Sequence, residues 1–127
     1  MTRELLIDKT HDLLSRSLDV AARRHNLISG NLANLDTVGY RPKDLDFQKV
    51  LELEMKKGDG SLTRTHAKHL MGRPAGALEA ERVEDAPVNL DREMTRLVEN
   101  NIRYRSTVEM MMRKVSTLRD AIGEGVK

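Results

Sequence analysis

His66 and His69 form an H-x-x-H pair. A helix brings that spacing to one face, as a divalent metal such as zinc requires. A working site needs more, and neither a third ligand nor an H-E-x-x-H pattern accompanies the pair. The carboxylate pairs Glu79/Glu81 and Glu84/Asp85 sit in a polar segment and read as solvated charge. There is no nucleophile motif and no G-x-x-x-x-G-K-[ST] loop to cradle a phosphate. The chain has no cysteine, which removes thiolate catalysis, disulfides and cysteine-held metals. These residue types predict no metal, no cofactor and no enzymatic activity.

The elements that position the remaining residues follow from length and composition. A chain of 127 residues fits one domain. Charged residues make up 33% of it and aromatic residues only 2%. That is little material for an apolar, aromatic-lined pocket and suits long helices. The net charge of +2, with no basic stripe, argues against nucleic acid. The longest apolar runs, such as Leu5-Leu6-Ile7, are far short of the roughly 20 residues that cross a bilayer. Asp8 and Lys9 also interrupt the N-terminal run before it reaches the core of a signal peptide. Neither an integral membrane segment nor a cleaved signal is expected.

Residues 1–35 and 90–127 form two heptad arms. The first reads Ile7, His11, Leu14, Leu18, Ala21, His25, Ile28, Leu32, Leu35, and the second Leu90, Met94, Leu97, Asn101, Tyr104, Val108, Met111, Val115, Leu118, Ile122. Both alternate four and three, the spacing of a helical seam. Neither stripe can be buried by its own helix. The arms are therefore predicted to pair with each other, with further copies, or both, and antiparallel where they pair with each other. Asn89 is placed to cap the second arm and Gly123 to end it. A polar Asn101 at a seam position can set register and partner. His11 and His25 read as seam-edge histidines, with pH sensitivity as the alternative.

The middle, residues 36–89, holds most of the glycines and all three prolines. One short helix is predicted over 44–57, ended by Gly58-Asp59-Gly60, then loop with a short strand near Leu78–Val83. The expected class is thus all-α dominated: a coiled-coil-like antiparallel pair of long terminal helices with a small irregular middle.

The most distinctive stretch is Asn31-Leu32-Ala33-Asn34-Leu35-Asp36-Thr37-Val38-Gly39-Tyr40-Arg41-Pro42. Asn34 and Asp36 compete with helical hydrogen bonds. Gly39 frees the backbone, and Pro42 biases Arg41 to extended geometry. Physically it is an exit from a helix into an extended segment.

Asn31, Ala33, Asn34, Thr37, Gly39 and Tyr40 make this stretch resemble the N-terminal signature of bacterial flagellar rod, hook and hook-associated axial proteins, N-x-A-N-x-x-T-x-G-Y/F. Val38 stands where proline is usual. Three further stretches are similar to the small proximal rod members: Tyr40 to Phe47; Thr65-His66-Ala67-Lys68-His69, as T-x-x-x-H; and Asn89 to Met94 followed by Asn101 and Tyr104. The resemblance spans nearly the whole chain. It implies a structural subunit of the basal-body rod, exported by the flagellar type III apparatus without a cleaved signal and polymerised across the periplasm to carry torque. It implies as partners FlgC-like and further rod subunits, the rod-base adaptor FliE, the ring protein FliF and the export apparatus. The assembly seam would comprise Leu14, Leu18, Ala21, Ile28, Leu32, Leu97, Asn101, Tyr104, Val108, Met111, Val115 and Leu118. The competing reading is a soluble coiled-coil adaptor or export chaperone that binds one partner through its helices.

Overall fold

A computed structural model describes residues 2–56 and 81–124. Two long helices dominate it. Helix α1 spans Thr2–Ala33 and helix α3 spans Leu90–Glu124, each about 50 Å at 1.5 Å per residue. They run antiparallel, as successive cross-links show: Asn31 meets Glu93 and, further along, Ala21 meets Asn100. Between them lie strand β1 (Lys43–Leu45), helix α2 (Phe47–Lys56) and strand β2 (Glu81–Val83). The two strands form an antiparallel ribbon with Lys43 opposite Val83 and Leu45 opposite Glu81. The expected class, a pair of long terminal helices with one short helix in an irregular middle, is the one the molecule has.

The apolar core is small and lies at one end. Val20 and Ala21 of α1 pack with Leu45 of β1 and with Phe47 and Val50 of α2, and Leu27 and Leu51 close its edge. Arg103 of α3 lies over the Phe47 ring, 4.3 Å from its centre, a cation–π contact that joins the third helix to this core. Polar contacts also join α1 to α2: Arg16 donates to the Glu54 carbonyl, and Arg23 approaches the Glu54 carboxylate at 3.7 Å.

Element ends differ from the sequence reading in three places. The short helix begins at Phe47, not 44, because Lys43–Leu45 is claimed by the ribbon with 81–83. Asp46 then caps it, accepting from the Lys49 amide at 3.2 Å. Helix α1 stops at Ala33, because the Asn34 amide and side chain both turn back to the Gly30 carbonyl, at 3.2 and 2.8 Å. Helix α3 runs through Gly123 to Glu124, and Gly123 does not take the left-handed conformation that ends a helix. Asn89 does cap α3, its side chain accepting from the Arg92 amide at 3.0 Å. The turn predicted at Gly58-Asp59-Gly60, the T-x-x-x-H stretch and the pair His66/His69 lie outside the described residues.

Candidate functional site: a polar junction and an unpaired helix face

The helix exit is built around Asn31, which is fully buried. Its amide nitrogen donates to the Lys43 carbonyl at 2.7 Å and to Glu93 at 2.9 Å. Its oxygen accepts from the Lys43 amide at 2.9 Å and from the Tyr40 hydroxyl at 3.2 Å. One side chain thereby ties α1, the exit loop, β1 and α3 together, with all its capacity spent.

The loop that allows this follows from its residues. After Asn34 turns the chain, the Thr37 hydroxyl donates to Asn34 at 3.2 Å and the Thr37 amide to the Asn34 carbonyl. Gly39 sits at φ +78°, a left-handed conformation that glycine enters freely and a β-branched residue does not. That turn returns Tyr40 to α1, close beside Gly30. Pro42 follows, buried, and its carbonyl accepts from the Glu84 amide at 2.9 Å. An exposed Arg41–Asp85 ion pair bridges the loop to the approach to α3.

Around Asn31 lies a network of charges. Glu93, fully buried, takes Arg96 at 2.7 Å as well as Asn31. Arg96 also pairs with Glu84 and, at 3.4 Å, with Asp44. Arg24 holds Asp44 with two parallel bonds at 3.0 and 3.1 Å, the strongest geometry for such a pair. Burial raises the Asp44 carboxyl, but the Arg24 bond, the Leu45 amide and the charges of Arg24 and Arg96 together hold it below the usual aspartate value. Burial likewise lowers Arg96, and its carboxylate partners outweigh that and raise it. Every charge here is consumed by a neighbour. Such a network fixes geometry and offers no free acid, base or nucleophile. Among the described residues, no three histidine or carboxylate side chains gather as a metal would need.

The signature residues thus divide. Asn31, Asn34, Thr37, Gly39 and Tyr40 build the exit, while Ala33 is exposed and touches none of it. Val38, where the family pattern has proline, is 99% exposed. The seam residues also divide. Ala21 and Ile28 are buried; Leu14, Leu18, Leu32, Leu97, Val108, Met111 and Leu118 are half-buried; Asn101, Tyr104 and Val115 are exposed, as are His11 and His25.

The division on α3 has a pattern. The row Glu93, Asn100, Thr107, Lys114, one residue per heptad, turns toward α1, and its first three members are buried. The adjoining row Met94, Asn101, Val108, Val115, Ile122, apolar but for Asn101, faces outward, with Val115 54% and Ile122 70% exposed; Val108 alone is half-covered. A polar row at the centre of the contact, flanked by half-buried Leu97, Met111 and Leu118, with a largely apolar row outside, is not what one isolated helix pair would favour. Periodicity alone could not choose between adjacent rows, so Asn100 and Glu93 were not legible as buried. Their one signal is that both stand seven apart beside the seam.

No family model matches the chain. Curated relatives do. The flagellar basal body rod protein FlgB of Cereibacter sphaeroides is 32% identical over 116 residues, covering 85% of this chain and 89% of the relative. FlgB of Yersinia ruckeri is 28% identical over 137 residues, covering 94% and 100%. FlgB of Escherichia coli K12 is 27% identical over 123 residues, covering 86% and 89%.

Proposed function

This chain belongs to the FlgB family of flagellar basal body rod proteins, and on that premise we propose that it is a structural subunit of the rod, polymerised through its terminal helices. Its role is structural, as the names of its FlgB relatives state, and the charged residues around Asn31 are spent on holding the exit in shape. Its place is the flagellar basal body, among other rod components. More finely, it occupies the proximal, periplasmic part of the rod and arrives through the flagellar type III apparatus. Its neighbours there are FlgC-like subunits, FliE and FliF.

Within this reading, the single observation that carries assembly is the outward apolar row of α3. A seam of heptad spacing left open on one side is completed by another helix. Contacts that join different faces of successive copies do not close, and they propagate as a helix. Close packing of those helices makes the tube stiff enough to transmit torque. An adaptor that binds one partner would also use an open seam. It would have no call for the constrained exit that Asn31, Gly39 and Tyr40 build, which fixes the direction in which the middle segment leaves the helix pair.

Val115→Asp and Ile122→Asp test this. Both positions are exposed in the subunit, so each variant should keep its stability within about 0.5 kcal/mol. Both should be exported, and cells relying on either should not swim, because a charge buried at a subunit contact costs several kcal/mol. Normal swimming halos with either variant would show that the row faces solvent in the rod as well.

A further inference from the structure

Where α1 and α3 meet, their edge carries a notch of about 290 Å³ between Ala22, His25 and Asn26 on one side and Asn100, Asn101 and Tyr104 on the other. Asn100 is 2% exposed. Its amide nitrogen donates to the Ala21 carbonyl at 2.9 Å, which fixes the orientation of the amide. Its oxygen, also buried, has no donor. A buried acceptor left in this state is uncommon, because the hydration it lost is not replaced. The rim adds the side-chain amides of Asn26 and Asn101, the imidazole of His25 and the ring of Tyr104, and it contains no carboxylate. Acceptors beside an aromatic face suit a guanidinium, which donates in its plane and stacks on its flat side.

The faces flanking the notch indicate where that guanidinium comes from. On α1, Ser15, Ala22 and Ser29 recur every seven residues, and small side chains let another helix approach closely. Asp19 stands exposed beside them. On α3, Arg105 and Arg119 are exposed beside the apolar row of Val108 and Val115, and neither forms an ion pair with the described residues. A cation-flanked apolar row and a small, acid-flanked face are complementary, and both belong to this one chain. We infer that the notch at Asn100 receives Arg105 or Arg119 from α3 of a second copy, and that this contact sets the register between successive subunits. The inference rests on the assembly reading above and gives it a partner, a face and a contact.

The test places the photo-crosslinker p-benzoylphenylalanine at exposed Asn26 of the full chain, in cells that build flagella. Irradiation should give a homodimer whose cross-linked peptide lies between Asn101 and Asp120. The double variant Arg105→Glu/Arg119→Glu, changed only at exposed positions, should lower that yield at least tenfold with unchanged circular dichroism. Asn100→Asp and Asn100→Leu both forfeit the bond to Ala21, so comparing them isolates the acceptor: Asp should keep the cross-link and Leu should lose it at least tenfold. A homodimer mapping elsewhere, an adduct to a different rod protein, or a yield indifferent to the arginines and to Asn100→Leu would overturn the inference and leave rod assembly standing. Adducts to no rod component at all, in swimming cells, would overturn the assembly reading itself.

Discussion

The two ends of the helix pair are built on different principles. At the exit end, Val20, Ala21, Ile28, Asn31, Leu45, Phe47, Val50, Glu93 and Asn100 are all buried, and of the three polar side chains among them only the Asn100 oxygen lacks a partner. At the far end, none of the described residues from Lys9 to Asp19 or from Val108 to Gly123 is fully buried. The same heptad spacing runs through both ends. What differs is the cross-linking: β1 and α2 pack onto α1 at and beside the exit end, with β2 paired to β1, and the reach of α2 toward the far end stops at the bond of Arg16 to the Glu54 carbonyl. A stripe of apolar residues therefore states that a helix will be covered, and leaves open by whom. At the exit end the chain answers for itself. At the far end the answer is another subunit.

The largest break to this contrast is Asn31→Leu. It would strand the Lys43 amide and carbonyl and the Tyr40 hydroxyl, and leave Glu93 with one partner fewer. Buried groups left without partners cost about 1–3 kcal/mol each when they cannot reach water. Partial relaxation reduces the sum, and a loss of roughly 2–4 kcal/mol is expected in urea unfolding. A loss below about 0.5 kcal/mol, the range of ordinary surface changes, would show that the exit end does not hang on this residue.

Next is the turn itself. Gly39→Val forces a β-branched residue into a left-handed conformation, at roughly 1–3 kcal/mol, although nothing crowds its Cβ position. Val38→Pro restores the residue usual in the family at a fully exposed position whose amide donates to none of the described residues, and it should be nearly neutral. Swimming halos and thermal melts on the two variants should rank Gly39→Val well below Val38→Pro. Equal behaviour would make this a plain loop.

The smallest expected effect is on acid sensitivity. The folded Asp44 carboxyl titrates below its unfolded value, so its contribution is complete above that unfolded value, about pH 4. It is lost as pH falls through the lower folded one. Melting temperature should therefore drop between pH 5 and 2 more in the native chain than in Asp44→Asn. Parallel curves would mean that the pairing with Arg24 and Arg96 adds nothing to the folded state.

How much of this was legible in the sequence follows from the same physics. Spacing in the two arms announced two long helices, and Asn34, Gly39 and Pro42 announced the exit, because both signals are local. Arg24, Asp44, Glu93 and Arg96 look like ordinary surface charges along the chain. Only the pairing of β1 with β2, and of Asn31 with a helix 62 positions away, gathers them into a buried network. The late start of α2 has the same cause: Asp44 is a plausible first-turn residue by propensity, and strand pairing overrode it. On α3, a one-row rotation separates Asn101, the expected register residue, from Asn100, which is buried. A heptad cannot resolve that choice until the partner helix is in place.

Amide hydrogen exchange along α3 of the dilute monomer tests the central contrast most directly. Protection of Glu93 to Thr107 should be at least about a hundredfold greater than that of Val108 to Ile122, with the gap closing when the protein is assembled with its rod partners. Uniform protection along α3 in the monomer would contradict that contrast, and would make the chain a finished helix pair that needs no neighbour to complete it.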